Sequence, residues 1–451
     1  MTQPPELARY LDRHPGTQFV DALLFDLCGT PIGKRVPVRD AAKLWSSGVA
    51  FCAGITTLDA LGACWDVNGI GFSDGDPDAT SFPLPGTLVP VPWAARPTAQ
   101  VMIAPAPPPD APHWWFDPRA ILAGVVARLT ALGVRPVVAN ELEFYLVDPA
   151  RDPQGRIAPA RPVRSGRAPD APRVLAFDKL DEWADILAEI DAACAAQGVP
   201  AGAATSEYGG AQFEVNLAHV DDPVLACDHA LLLRRIVKGV AARHGLDATF
   251  MSKPFAGQSG SGLHVHASLT DAEGRNLFDE TRPDGDRLLG HAIAGLQATT
   301  HDAMAFFAPD INAYRRFAPD QFVPVNTSWG FNNRSVSFRV PMGGGAARRI
   351  EHRIAGAEAN PYLVMAAVLA GFHHGLAHRL APTPPSTGNA GEAADPDMPL
   401  RLWTALDRLE GSALMAEYFG PRYPAAYAAI KRSEFDAFMA EVLPREYDWY
   451  L

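Results

Sequence analysis

Several kinds of residue pattern are scarce or missing in this 451-residue chain, and each absence removes a class of function. No run of about 18 apolar residues occurs, so no segment reads as a membrane-crossing helix. Positive charge is outweighed: 39 Lys and Arg stand against 51 Asp and Glu, a formal net charge of −12. That balance argues against a nucleic-acid partner or an anionic membrane surface. Cysteine is rare, with Cys28, Cys52, Cys64, Cys194 and Cys227 scattered, odd in number and without a Cys-x-x-Cys pair. Reduced thiols are therefore expected rather than disulfides or a zinc site. A Gly-x-x-x-x-Gly-Lys-Ser/Thr loop is missing, as is a Gly-x-Gly-x-x-Gly after a strand, so any nucleotide is held by another device. The N-terminus, Met-Thr-Gln-Pro-Pro-Glu, lacks a basic stretch followed by an apolar one, and a cytoplasmic protein is the expectation.

What is there describes a globular chain, 48% apolar and 20% charged, long enough for two or three domains. Residues 18–38 predict two short strands around Cys28-Gly-Thr-Pro, residues 39–53 a helix, and residues 67–92 a turn-rich loop. Within that loop Asp74-Gly-Asp-Pro-Asp imitates a calcium loop but has Ala79 and Pro85 where Gly and Glu are needed, so it reads as solvated. The proline run Ala104-Pro-Ala-Pro-Pro-Pro-Asp-Ala-Pro marks a boundary. Beyond it, Asp117-Pro118 predicts a helix start, Val137–Val147 a strand, 178–197 and 224–244 helices, and 286–307 another helix. Asn332–Pro341 is expected as a strand carrying Arg334 and Arg339, and Asn360-Pro361 as the start of a long apolar helix. Residues 381–398 have the composition of a mobile loop, and two helices close the chain.

Chemistry concentrates in the stretch Lys253–Leu269. Gly257, Gly260 and Gly262 make a loop that a ligand can approach closely. Leu263, Val265, Ala267 and Leu269 then alternate with His264, His266 and Ser268, the period of a strand with one polar face. A lone His-x-His is as often plain sheet surface, so the companions matter. Glu141 and Glu143 share a strand face, Glu207 and Glu214 flank a Gly-Gly turn, and Arg349, Glu351 and Arg353 alternate on another strand. Placing so many charges on sheets costs several kcal/mol each unless they pair or bind ions. Carboxylates with an imidazole suit Mg²⁺ or Mn²⁺ better than zinc, and two such ions beside arginines would suit phosphoryl transfer.

In combination these motifs resemble the glutamine synthetases, and more closely the gamma-glutamylpolyamine synthetase group that joins glutamate to amines. The resemblance rests on Asn140-Glu-Leu-Glu-Phe-Tyr-Leu, Glu207-Tyr-Gly-Gly-Ala-Gln-Phe-Glu, Lys253-Pro through His264-Val-His-Ala-Ser-Leu, Asn333-Arg-Ser, and Arg349-Ile-Glu-His-Arg with Ala359-Asn-Pro-Tyr. It implies an α+β fold: a small N-terminal beta-grasp-type domain, 1–108, then a large catalytic domain, 109–451, with an antiparallel sheet flanked by helices. It also implies one metal on Glu141, His264 and Glu351, and another on Glu143, Glu207 and Glu214. Arg334 and Arg339 match phosphate-stabilising groups; Gly260, Arg316 and Arg353 match the glutamate site; His266, Ser268 and Arg349 match nucleotide contacts. The implied reaction uses ATP to phosphorylate glutamate, after which an amine displaces phosphate, in a homododecamer of two stacked hexamers.

Two departures bear on the acceptor. Cys52 stands where the glutamine synthetases carry an ammonium-binding aspartate, and Phe322 stands where they carry a flap glutamate. A less polar pocket favours an organic amine or polyamine over ammonia. Asp320 is a candidate base. The other readings are a true glutamine synthetase and a catalytically silent relative.

Overall fold

Two sheets, one on either side of the proline-rich connection, organise the chain. The structure is a computed structural model and describes residues 3–67, 69–168, 174–318 and 322–451. The first sheet contains β1 (Phe19–Phe25), β2 (Pro31–Pro37), β3 (Val49–Cys52), β4 (Asp78–Pro83), β5 (Val89–Pro90) and β6 (Thr98–Pro105). Its order is β2-β1-β6-β4-β3, with β5 also on β6, and the β1–β6 pair is parallel. Alternation along β1 sends Val20, Ala22 and Leu24 to a small core with Leu7 and Tyr10 of α1 (Pro5–Arg13). Leu23 and Phe25, on the other face, join the main core.

The expected helix over 39–53 is mostly absent. Only Val38–Asp40 and α2 (Lys43–Ser46) are helical; Gly48, at φ +70°, then turns the chain into β3. The turn-rich reading of 67–92 also missed β4, which pairs with both β3 and β6. Tertiary pairing overrides turn-forming composition there. The acidic stretch 74–78 is exposed, as the failed calcium-loop pattern indicates.

The second sheet holds β7 (Arg135–Val147), β8 (Ala201–Ser206), β9 (Gln212–Leu217), β10 (Asp247–Thr249), β11 (Leu263–Thr270), β12 (Trp329–Phe331), β13 (Phe338–Val340) and β14 (Ile350–His352). Its order is β12-β13-β14-β11-β7-β9-β8, with β10 on β7, antiparallel except for β12–β13. The helices are α3 (Pro118–Ala131), α4 (Phe177–Glu182), α5 (Ala184–Gln197), α6 (Pro223–Arg243), α7 (Gly285–Phe307), α8 (Pro361–His378), α9 (Leu402–Gly411), α10 (Ala413–Phe419), α11 (Tyr423–Met439) and α12 (Pro444–Tyr450). Asp117, Asp222 and Asn360 accept from the first-turn N–H groups of α3, α6 and α8, each followed by proline. The apolar face of the second sheet packs onto these helices, with Leu142, Phe144, Val215 and Val265 in one continuous core. Its other face carries the polar residues.

Residues 381–398 are not free. Trp329 Nε1 donates to Thr383 O at 2.6 Å, Asn333 Nδ2 to Gly388 O at 2.9 Å, and Asn326 Nδ2 to Ala390 O at 2.7 Å. The segment is a strap stitched across β12 by side chains that its own composition does not reveal.

Candidate active site

Strand register assembles the polar face. Directly opposed residues in adjacent strands share a face. Arg339, Glu351 and His266 form one cross-strand row; His264, Glu141 and Asn216 form the next; Glu143 opposes Glu214 in a third. The β8–β9 turn returns Glu207 to the same place, and Glu143, Glu207 and Glu214 each offer an oxygen within 4.8 Å of the others. Ligand atoms of Glu141, Glu214 and His264 lie equally close together, as do those of Glu141, His266 and Glu351.

Both imidazoles are more buried than surface cover would be, at 7% and 3% exposure for His264 and His266. His264 Nδ1 lies 3.5 Å from Glu141 and 3.9 Å from Glu351, within reach of both expected partners. His266, matched by resemblance to a nucleotide contact, stands closer: its Nε2 is 2.9 Å from Glu141 Oε1. Its Nδ1 accepts from Arg349 Nε at 3.0 Å, so in the neutral ring Nε2 carries the hydrogen, although it makes no hydrogen bond to the carboxylate. Ser268 is buried one pleat beyond His266 on that face.

The charge balance of the two halves differs. Burial, then repulsion from Glu143, pushes Glu207 up to about 7 despite Lys179 and Arg334 nearby. Burial and three neighbouring carboxylates push Glu214 up to about 9. Among the described residues neither Glu207 nor Glu214 forms an ion pair, and a divalent cation would supply the missing charge. Burial also opposes ionisation of Glu141 and Glu351. His264 and His266 outweigh it at Glu141, and at Glu351 Arg353, with those imidazoles, does so; both lie below the usual range. Glu351 is gripped by Arg339 Nη1 at 2.8 Å and by Arg353 Nη1. The donor set, oxygens with imidazole nitrogen, fits Mg²⁺ or Mn²⁺.

Arg334 was expected on a strand. Among the described residues that strand is only β13, and Arg334 projects, exposed, from the preceding turn, close enough to favour ionised Glu207. Asn333 shapes the turn by accepting from Ser335 N at 3.0 Å. Arg316 is buried beneath the glycine loop, donating to Ile354 O at 3.0 Å. A Cβ on Gly260 would stand 2.6 Å from Arg316 Cγ and 2.7 Å from Ser252 O, so only glycine allows this approach.

Three supporting residues escaped sequence reasoning. Asn216 Nδ2 donates to Glu141 Oε1 at 2.7 Å; its spacing two residues after Glu214 was a usable signal. Lys179 Nζ, from α4, donates to Glu207 O at 2.7 Å and Gly209 O at 2.6 Å. Gln212 Nε2 donates to Gly260 O at 2.9 Å, tying the carboxylate turn to the glycine loop. Neither of the last two has a local pattern that announces it.

Comparison with known proteins matches residues 116–450 to the glutamine synthetase catalytic domain. The chain belongs to the glutamine synthetase family. It is 38% identical to the gamma-glutamylputrescine synthetase of Escherichia coli (strain K12), covering 99% of this chain and 94% of that one. It is 33% identical to a glutamate–isopropylamine ligase of a Pseudomonas species, covering 80% and 78%. A solved structure described as a GmaS/ADP complex superposes with a TM-score of 0.84 at 27% identity, covering 99% of both chains. For a member of the glutamine synthetase family, the two acceptor-pocket departures keep their interest. Phe322 is 61% exposed at φ +52°, a backbone setting unusual for an aromatic residue. Cys52 ends β3 opposite Asp78 in the small sheet. Asp320 lies outside the described residues.

Proposed function

We propose that this chain is an ATP-dependent ligase joining the γ-carboxylate of glutamate to an organic amine or polyamine through γ-glutamyl phosphate. The observation that carries the reading is one sheet face holding Glu143, Glu207 and Glu214 together, with arginines along the same face. In this reading Glu141, His264 and Glu351 hold one divalent cation and Glu143, Glu207 and Glu214 another. Bound there, Mg²⁺ or Mn²⁺ would neutralise phosphate charge.

The chain's own groups account for the rest. Arg316 and Arg353 bind and orient the carboxylates of glutamate beside the Gly260 loop. A γ-carboxylate oxygen attacks the terminal phosphorus of ATP and ADP leaves, while Arg334 and Arg339 stabilise the charge on the transferred group. The neutral amine nitrogen then attacks the acyl carbon, inorganic phosphate leaves, and the nitrogen gives up a proton. Ser268, Arg349 and His266 serve the nucleotide end of the site.

An organic amine is favoured over ammonia by Cys52 and Phe322, which replace two anionic groups, and by the amine substrates named for the putrescine and isopropylamine relatives. The domain division at residue 108, a homododecamer and a cytoplasmic location belong to the same proposal. Among the described residues no helix is long and apolar enough to cross a membrane. Phosphate release with glutamate, ATP and a panel of amines tests the reading. Turnover with putrescine or a monoamine well above ammonia is expected; ammonia as the sole acceptor, or no acceptor at all, would overturn it.

A further inference from the structure

A cavity of about 410 Å³ lies where the small sheet meets α6, and its walls include Trp93, Arg234, Arg235, Lys238, Phe250 and Glu358. Three cations come from little more than one turn of α6, and Arg234 and Lys238, four apart, share a helix face. Like charges at that spacing oppose the helix unless something answers them.

The structure pairs only one of the three with a carboxylate, and Lys238, at the mouth of the cavity, is exposed to solvent. Arg235 donates to Asp21 at 3.2 Å and to Gln100 at 2.9 Å, although Asp21 is already held by Arg35 at 2.7 Å. Arg234 is 6% exposed, and its Nη atoms reach only backbone carbonyls, Glu358 O at 3.3 Å and Ala359 O at 2.6 Å. Among the described residues neither Arg234 nor Lys238 forms an ion pair, though Asp247 lies in the neighbourhood of Lys238. Glu358 lines the same cavity but forms no ion pair with Arg234 or Lys238: its carboxyl accepts from Ser252 Oγ, and burial makes it hold its proton more tightly than usual.

The rest of the lining suits a compact organic body. Arg234 lies over the Phe250 ring and Arg235 over Trp93, at 5.7 and 5.8 Å from the centroids. Trp93 lies flush against α6 because residue 239 is glycine; a Cβ there would be 2.3 Å from its Nε1. Clustered cations with aromatic walls raise the local concentration of anions and give their apolar parts a surface.

We propose that this cavity binds a small organic anion, carboxylate- or phosphate-bearing, at a site separate from the carboxylate cluster. The probes are succinate and inorganic phosphate, each compared with chloride at equal ionic strength, with the thermal midpoint of the full chain as readout. This readout needs no catalytic activity, so it stands or falls independently of the ligase reading. A saturable rise of a few degrees is expected with at least one probe, and which probe gives it identifies the head group. The rise should persist in Arg334→Gln, where the proposed phosphate site is impaired. It should be lost in Lys238→Glu and in Met251→Trp, which fills the cavity from its rim and serves if the charge reversal fails to fold. No saturable rise with either probe, a rise abolished by Arg334→Gln, or a rise surviving both cavity variants would overturn the proposal.

Discussion

Glu214 concentrates the tension of the site in one side chain. It is half-buried among Glu141, Glu143 and Glu207, and desolvation with their charge pushes its carboxyl up to about 9. Glu214→Gln should therefore raise the thermal midpoint of the metal-free protein while shrinking the further rise given by Mn²⁺. Both are read from one pair of melting curves, and a lower metal-free midpoint would contradict the repulsion argument. Gly260 presents the reverse case, a residue valued for what it lacks. Gly260→Ala places a methyl 2.6 Å from Arg316 Cγ, an overpacking that costs about 1–3 kcal/mol where the neighbours cannot retreat. The displaced guanidinium should raise KM for glutamate more than KM for ATP, measured by steady-state phosphate release.

At the scale of elements, the face depends on connections between strands as much as on strands. The Glu207 turn is held by Lys179, whose buried ammonium reaches two of its carbonyls from α4. Lys179→Met leaves those carbonyls without their donor, costing about 1–3 kcal/mol. Mn²⁺ affinity measured calorimetrically should fall at the Glu143–Glu207–Glu214 cluster, with partial recovery in Lys179→Arg. Asn360 binds two elements at once. It caps α8, and its amide donates to Asp26 O at 3.2 Å and Leu27 O at 3.1 Å at the end of β1. Asn360→Ala should destabilise by about 1 kcal/mol for the cap alone, and by more if the bonds to the small sheet count, as denaturant unfolding would show.

The whole molecule inherits a pH dependence from the crowded carboxylates. Glu207 and Glu214 hold protons more tightly when folded than at their ordinary value of 4.5, with native values of about 7 and about 9. Folding with these groups therefore takes up protons, and their contribution weakens as pH rises from about 4.5 through 7 and toward 9. The metal-free midpoint should fall across that range, and the gain from Mg²⁺ or Mn²⁺ should grow, because binding a cation releases those protons. A flat difference between metal-free and metal-loaded curves from pH 6 to pH 9 would exclude this account. The small sheet shares in the molecule's stability, since one face of β1 belongs to the main core.

The sequence by itself determined the elements that carry chemistry. Alternation at 263–269, the Glu141/Glu143 pair and the Asp-Pro and Asn-Pro helix starts are local patterns, fixed by backbone period and capping. It erred where local preference met a distant partner: β3 and β4 exist because they pair with each other, and the 381–398 strap is ordered by Trp329, Asn326 and Asn333. Only the tertiary structure decided that Glu214 also comes within reach of Glu141 and His264, that His266 stands beside Glu141, and that Lys179 supports Glu207. Those facts depend on strand register and on contacts between segments far apart in the chain. Neither leaves a periodic trace in the residues themselves.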